Sequence, residues 1–145
     1  MSYHLFLDDG RQPEDVKWLE LPPLAWVVVH DYKEFVNAIR TRGIPATVSF
    51  DHDLCQEHYD EYTCAHDPRM LSFGTIRYHI FKEKTGYECA KYLAEECVCK
   101  DVPIPTYYIH TLNPIGKANI LNALEPIRKI LTELQQAGKL TPNER

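Results

Sequence analysis

Hydrophobic and polar positions along the chain follow two rhythms. In four short stretches, residues 3–7, 24–29, Thr47–Phe50 and Thr106–Ile109, consecutive residues are apolar or β-prone, the pattern of strands buried on both faces. Elsewhere apolar residues recur every three or four positions, as on one face of a helix. Tyr32, Phe35, Val36 and Ile39 mark a first helix, opened by Asp31 with Glu34 three residues on and closed at Gly43. Ala90, Leu93, Ala94, Cys97 and Val98 mark a second, opened by Thr85 and Glu88 in the same capping pattern. Ile120, Leu124, Ile127, Leu131 and Leu134 mark a third, capped by Asn113 with Pro114 at its first position, and Pro126 is expected to kink or split it. A brief helix is expected over residues 14–19, stopped by Leu21-Pro22-Pro23.

Strands alternating with helices predict one α/β domain: a parallel sheet with helices on both faces. The domain is placed at residues 1–137, with a polar, frayed tail over 138–145. Residues 55–84 show neither rhythm. A stretch of that length after the third strand marks a functional loop or small insertion rather than a simple connection.

The polar residues matter most where the apolar runs stop. Leu7 is followed by Asp8-Asp9, Val29 by His30-Asp31, Phe50 by Asp51-His52-Asp53, and Ile109 by His110-Thr111. Parallel sheets bind ligands outside the carboxyl ends of their strands, and every one of these clusters falls at such an end. Burying carboxylates and imidazoles without partners would cost several kcal/mol, so the strand ends must open into a cleft.

Net charge narrows the ligand. At −5, with no block of Lys or Arg, the chain offers no surface for extended nucleic acid, whereas a small nucleotide or phosphate ester needs only a few local cations. Met1-Ser2-Tyr3-His4 shows no charged-then-apolar leader, and the longest apolar run, 24–29, is far too short for a bilayer. Five unevenly spaced cysteines point to free thiols. A cytoplasmic protein with no membrane partner is expected; the oligomeric state stays open.

Four carboxylates around one cleft, Asp8, Asp9, Asp51 and Asp53, repel one another. A divalent cation, raised pKa values or a cation such as Arg11 must offset them. Mg²⁺ or Mn²⁺ held by Asp9 and Asp51 is the simplest answer, the alternative being aspartates that merely cap following segments. His52 and His110 titrate near neutrality and would serve as general base and acid, with Asp8 and Asp53 beside them; as isolated histidines they would be structural. The strand-to-helix junction after His110 offers backbone N–H groups to an anion. Arg11, Thr111, Asn113, Lys117 and Asn119 are the candidate contacts to a phosphorylated ligand. Cys55, His58, Cys64 and His66 contain zinc-type ligands, although the second pair is closer than usual and ordinary loop residues are the simpler account.

Four motifs in order, residues 5–13, 49–54, 85–88 and 110–120, resemble the cyclic-phosphate-processing receiver-like domain family. They read LFLDDGRQP, SFDHDL, TGYE and HTLNPIGKANI. That family is related to response-regulator receiver domains and is known mainly from bacteria and their viruses. The resemblance implies a receiver-like (flavodoxin-like) fold, with Asp8, Asp9 and Asp51 in the acidic pocket that holds Mg²⁺ and Thr111 at the hydroxyl position. It also implies processing of a cyclic phosphate on a nucleotide-derived molecule. The chain departs from a phosphoacceptor receiver in lacking a clear fifth strand with a lysine, and its 55–84 segment is long for the family. Three functions follow: a phosphoesterase opening a cyclic phosphate, a module that captures such a ligand without turnover, and a phosphoacceptor with Asp51 as acceptor.

Overall fold

The computed structural model describes residues 2–140. Its elements are β1 (His4–Leu7), β2 (Trp26–Val29), α1 (Tyr32–Arg42), β3 (Thr47–Phe50), α2 (Gln56–Ala65), α3 (Gly86–Lys100), β4 (Thr106–Ile109) and α4 (Pro114–Leu140). The four strands form one parallel sheet in the order β2-β1-β3-β4. In register, Leu7 lies level with Val29 and Phe50, and Phe50 with Ile109. Asp8, His30, Asp51 and His110 therefore all leave the sheet along one edge. The chain leaves β1 toward β2 on one side and later passes from β3 to β4 on the other, so β1 and β3 flank the topological switch point.

The helices gather on one face. Phe35 and Ile39 of α1, Leu93 and Cys97 of α3, and Ile120 and Leu124 of α4 share a buried cluster with Leu5, Leu7, Val48 and Phe50. Phe6 points to the opposite face, also fully buried. An irregular segment carrying Pro13, Leu21, Pro22 and Pro23 borders Trp26 and Val28 there. That second face thus carries irregular chain, where helices on both faces were expected. Three prolines in eleven residues prevent a helix there, and only a 3-10 turn at Pro13–Asp15 forms where a helix over 14–19 was expected.

The caps form as the patterns require. Asp31 accepts from the Glu34 amide at 2.8 Å, while Glu34 reaches back to the His30 amide. Thr85 and Glu88 form a reciprocal capping box. Asn113 Oδ1 accepts from the Gly116 amide at 3.0 Å. Pro126 does not split α4: it lies on the exposed side, as does Asn122, whose carbonyl loses its helical donor and can turn to water. The helix runs on through Gly138, where a frayed tail was expected; residues 141–145 lie outside the described residues. The 55–84 segment contains α2 and a 3-10 turn at Tyr78–Ile80. Among the described residues no helix is long and apolar enough to cross a membrane.

Candidate active site

Backbone contacts fix the strand ends. The Asp8 amide bonds to the Val29 carbonyl, the Asp51 amide to Leu7, and the His110 amide to Phe50, so each continues the sheet ladder one step past the strand. Gly86, at the first turn of α3, donates its amide to the His52 carbonyl at 2.8 Å. A Cβ there would lie 1.8 Å from the Asp51 carbonyl oxygen. Gly116, in the first turn of α4, is as closely set, since a Cβ would come within 2.5 Å of the His52 ring. Two helix starts thus close on the Asp51-His52-Asp53 turn, and each needs a residue without a side chain.

Asp8 is the hub of the first network. Its Oδ1 accepts from the amides of Gly10 and Arg11, and its Oδ2 from Arg11 Nε at 2.9 Å and His110 Nε2 at 3.0 Å. Burial alone would raise the Asp8 pKa, but these donors outweigh it and hold the carboxyl below the usual carboxylate range. Because an ionised Asp8 only accepts, His110 Nε2 carries the proton and Nδ1 accepts from Ser49 Oγ at 2.7 Å. Burial pushes the His110 pKa down, in keeping with a neutral ring. Phe6 stacks on it at 4.5 Å, and Trp18 Nε1 donates to its carbonyl.

The second network runs through His52. Asn119 donates to the Tyr78 hydroxyl at 2.9 Å, which lies 2.8 Å from His52 Nε2, and His52 Nδ1 lies 2.7 Å from Asp53 Oδ1. With Asp53 as the final acceptor, Asn119 donates to Tyr78, Tyr78 to His52 and His52 to Asp53. Asn113 Nδ2 adds a second donor to Asp53 at 3.2 Å.

Between the networks lies a cleft of about 260 Å³ lined by Arg11, Asp51, Asp53, Tyr59, Tyr62, Thr111, Leu112 and Asn113. Asp51 is 1% exposed and meets Arg11 Nη2 at 3.3 Å. Burial and the Asp8 charge push its carboxyl well above the usual range, and Arg11 offsets this only in part. Thr111 accepts from the Asn113 amide through its hydroxyl.

Several expected roles change on this geometry. His52 and His110 are wholly buried, each with both ring nitrogens engaged, and neither lines the cleft. They are placed to position Asp53 and Asp8 rather than to meet a ligand. Lys117 is exposed on α4 and Asn119 is turned to Tyr78, so neither lines the cleft beside Asn113. Asp9 lies outside the Asp8, Asp51 and His110 cluster; its Oδ1 accepts from the Tyr59 hydroxyl at 2.8 Å. Sequence patterns gave no reason to select Ser49, Tyr59, Tyr62 or Tyr78. Ser49 stands inside an apolar strand, and the tyrosines come from the stretch without periodicity.

The family model of the cyclic-phosphate processing receiver domain matches residues 3–126. The chain belongs to this family. No curated protein and no solved structure matches it. Its four-stranded parallel sheet with helices is the receiver-like, flavodoxin-like α/β fold. In this cyclic-phosphate processing receiver domain the four expected zinc-type residues of the 55–84 segment are not all brought together: Cys55 and His58 gather with Glu57, one ligand atom each within 4.8 Å of the others, without Cys64 or His66. Cys55 and Cys64 stand at opposite ends of α2, nine residues or roughly 13 Å apart at the helical rise. His58 is spent on the Leu54 amide and the Glu83 carbonyl, and Glu57 on the amides of Lys82 and Glu83. These residues tie the two ends of the insertion together instead.

Proposed function

We propose that the cleft binds the cyclic phosphate of a nucleotide-derived molecule and hydrolyses one of its ester bonds. The observation that carries this reading is the convergence of Arg11, Asp53, Thr111 and Asn113 in one cleft at the switch point of the sheet. A cyclic phosphodiester carries one negative charge. The Arg11 guanidinium, 28% exposed, faces it, with the Thr111 hydroxyl and the Asn113 amide beside it. Asp53, oriented by His52 and Asn113, takes a proton from the attacking water as the new P–O bond forms and one ring ester bond breaks; the leaving oxygen then collects a proton. Positioned proton transfer of this kind contributes roughly 10²–10⁴ in rate.

A divalent cation suits the site on charge. Asp51 and Asp53 line a cleft whose lining contains one cation, Arg11, and Asp8 brings a carboxylate oxygen within 4.8 Å of one of Asp51. Asp8 and Asp51 would hold the ion, while Asp9, bonded to Tyr59, lies outside that cluster; the ion would supply Lewis-acid polarisation of a phosphoryl oxygen.

The second reading is a module that captures the same ligand without turnover. Its support is specific: all four ring nitrogens of His52 and His110 are engaged inside the protein, which leaves no imidazole to exchange protons with a substrate. One experiment separates the two. The protein is incubated with 2′,3′-cyclic and 3′,5′-cyclic nucleotides, cyclic dinucleotides and ADP-ribose cyclic phosphate, in Mg²⁺, Mn²⁺ or EDTA. Cleavage that falls at least about a hundredfold in Asp53→Asn supports hydrolysis. Thermal stabilisation by one compound with no cleavage of any would leave the capture module.

A further inference from the structure

The cleft lining has two unlike parts. The strand ends supply charge and hydrogen bonds, and a second part of the lining comes from α2, inside the insertion. There Tyr59 and Tyr62, three residues apart on one side of the helix, both line the cavity. We infer that this aromatic wall receives a planar base, so that the ligand is a nucleoside cyclic phosphate rather than a bare sugar or polyol cyclic phosphate. The inference rests on the cyclic-phosphate reading above and adds its other half, the group attached to the phosphate.

The geometry supports a prepared surface rather than chance exposure. The neighbouring stripe of α2, His58, Glu61 and Ala65, is buried. Glu61 takes a two-pronged ion pair and an amide bond from Arg77, and His58 bridges Leu54 and Glu83, so the helix is pinned from both ends of the insertion. Tyr62 is backed by the His66 ring, stacked at 4.2 Å, which holds it in the cleft lining. Tyr59 is steadied by its hydroxyl bond to Asp9, yet remains 39% exposed. Arg11 lines the same cleft, its guanidinium held over Trp18 at 5.0 Å. Aromatic rings and an anchored guanidinium in one cleft match a molecule that is planar and apolar at one end and anionic at the other. Stacking of this kind tolerates any base, because each presents a π-face.

The test is a cycle of ligand and side-chain deletions. Dissociation constants are measured by calorimetry for adenosine, guanosine, cytidine and uridine 2′,3′-cyclic phosphates and for glycerol 1,2-cyclic phosphate, which has no base. The proteins are wild type, Tyr62→Ala, Tyr59→Ala and Tyr59→Phe. Wild type is expected to hold the nucleoside compounds about tenfold or more tighter than the glycerol compound. Tyr62→Ala and Tyr59→Ala should shrink that ratio toward one while leaving glycerol 1,2-cyclic phosphate bound nearly as before, which also shows that the variants fold. Tyr59→Phe keeps the ring and should keep the preference. Equal affinity for both ligand types in wild type, or equal loss of both in the alanine variants, overturns the base wall and leaves the cyclic-phosphate reading intact. Binding of neither ligand type by wild type overturns both.

Discussion

A carboxyl buried beside a second carboxylate resists ionisation, and Asp51 has only the 3.3 Å contact from Arg11 and the His52 amide to set against it. Burial and the Asp8 charge push its pKa from the ordinary 3.8 up to about 7. Between those values the folded protein keeps a proton that the unfolded chain has released. Stability from this group is therefore fully present below the ordinary carboxylate range and is lost as pH rises toward 7. Asp8 works in the opposite sense: held low by its donors, it contributes stability above the ordinary range and loses it as pH falls toward about 2. Asp51→Asn should remove the first slope alone. Its melting temperature should match wild type near pH 4 and exceed it by several degrees at about pH 8, in thermal melts with EDTA. A variant that melts below wild type at the higher pH would show that Arg11 compensates Asp51 fully. Gly86 gives a steric prediction in the same place. A methyl group 1.8 Å from the Asp51 carbonyl oxygen meets backbone that is held by the sheet. Gly86→Ala should then cost about 3 kcal/mol or more in urea denaturation, the upper end for overpacking.

At the scale of elements, legibility followed the source of burial. β3 and β4 were bounded correctly, and the Thr85 and Asn113 caps were found, because apolar runs and capping side chains are local signals. Asp51, Asp53, Thr111 and Asn113 came with them, as residues that end strands or open a helix. α2 was hidden because two of the three residues in its buried stripe, His58 and Glu61, are polar and rely on partners such as Arg77 and Glu83, 16 and 25 residues away, with Ala65 the one apolar member. No periodicity of apolar residues could reveal it, and Tyr59 and Tyr62 were lost with it. The surroundings of His52 and His110 were hidden for a related reason: strand-end position was legible, but Ser49 and Tyr78 as partners were not. If those distant partners hold α2, removing one should loosen the insertion without unfolding the sheet. Arg77→Ala leaves the Glu61 carboxylate, 3% exposed, without its guanidinium. Limited trypsin digestion should then cut within residues 66–84 several times faster than in wild type, while the sheet-bearing fragments persist. Unchanged cleavage would mean that His58 and Glu57 suffice to pin the segment.

The whole molecule decides between a site that acts on ligands and one that becomes phosphorylated. The order β2-β1-β3-β4 brings Asp8 and Asp51 to the switch point, as the receiver plan requires, but the chain passes from β4 directly into the 27-residue α4. No fifth strand follows among the described residues to deliver a lysine, and the cleft lining has none. The cation that is present, Arg11, is bonded to both Asp8 and Asp51, which lies beneath it with 1% of its surface exposed. A phosphoacceptor carboxylate must reach the phosphorus of a donor as a free nucleophile, whereas Asp51 is buried and paired with Arg11. Incubated with acetyl phosphate and Mg²⁺, the protein should therefore show no added phosphoryl group by intact mass. A phosphoryl gain that disappears in Asp51→Asn would mean that Arg11 swings clear and that the phosphoacceptor chemistry of receivers survives without the lysine. With no such gain, the phosphoacceptor reading falls, and the proposed role of Arg11, holding the charge of a ligand whose phosphate arrives already esterified, stands to be tested by the cleavage and binding assays.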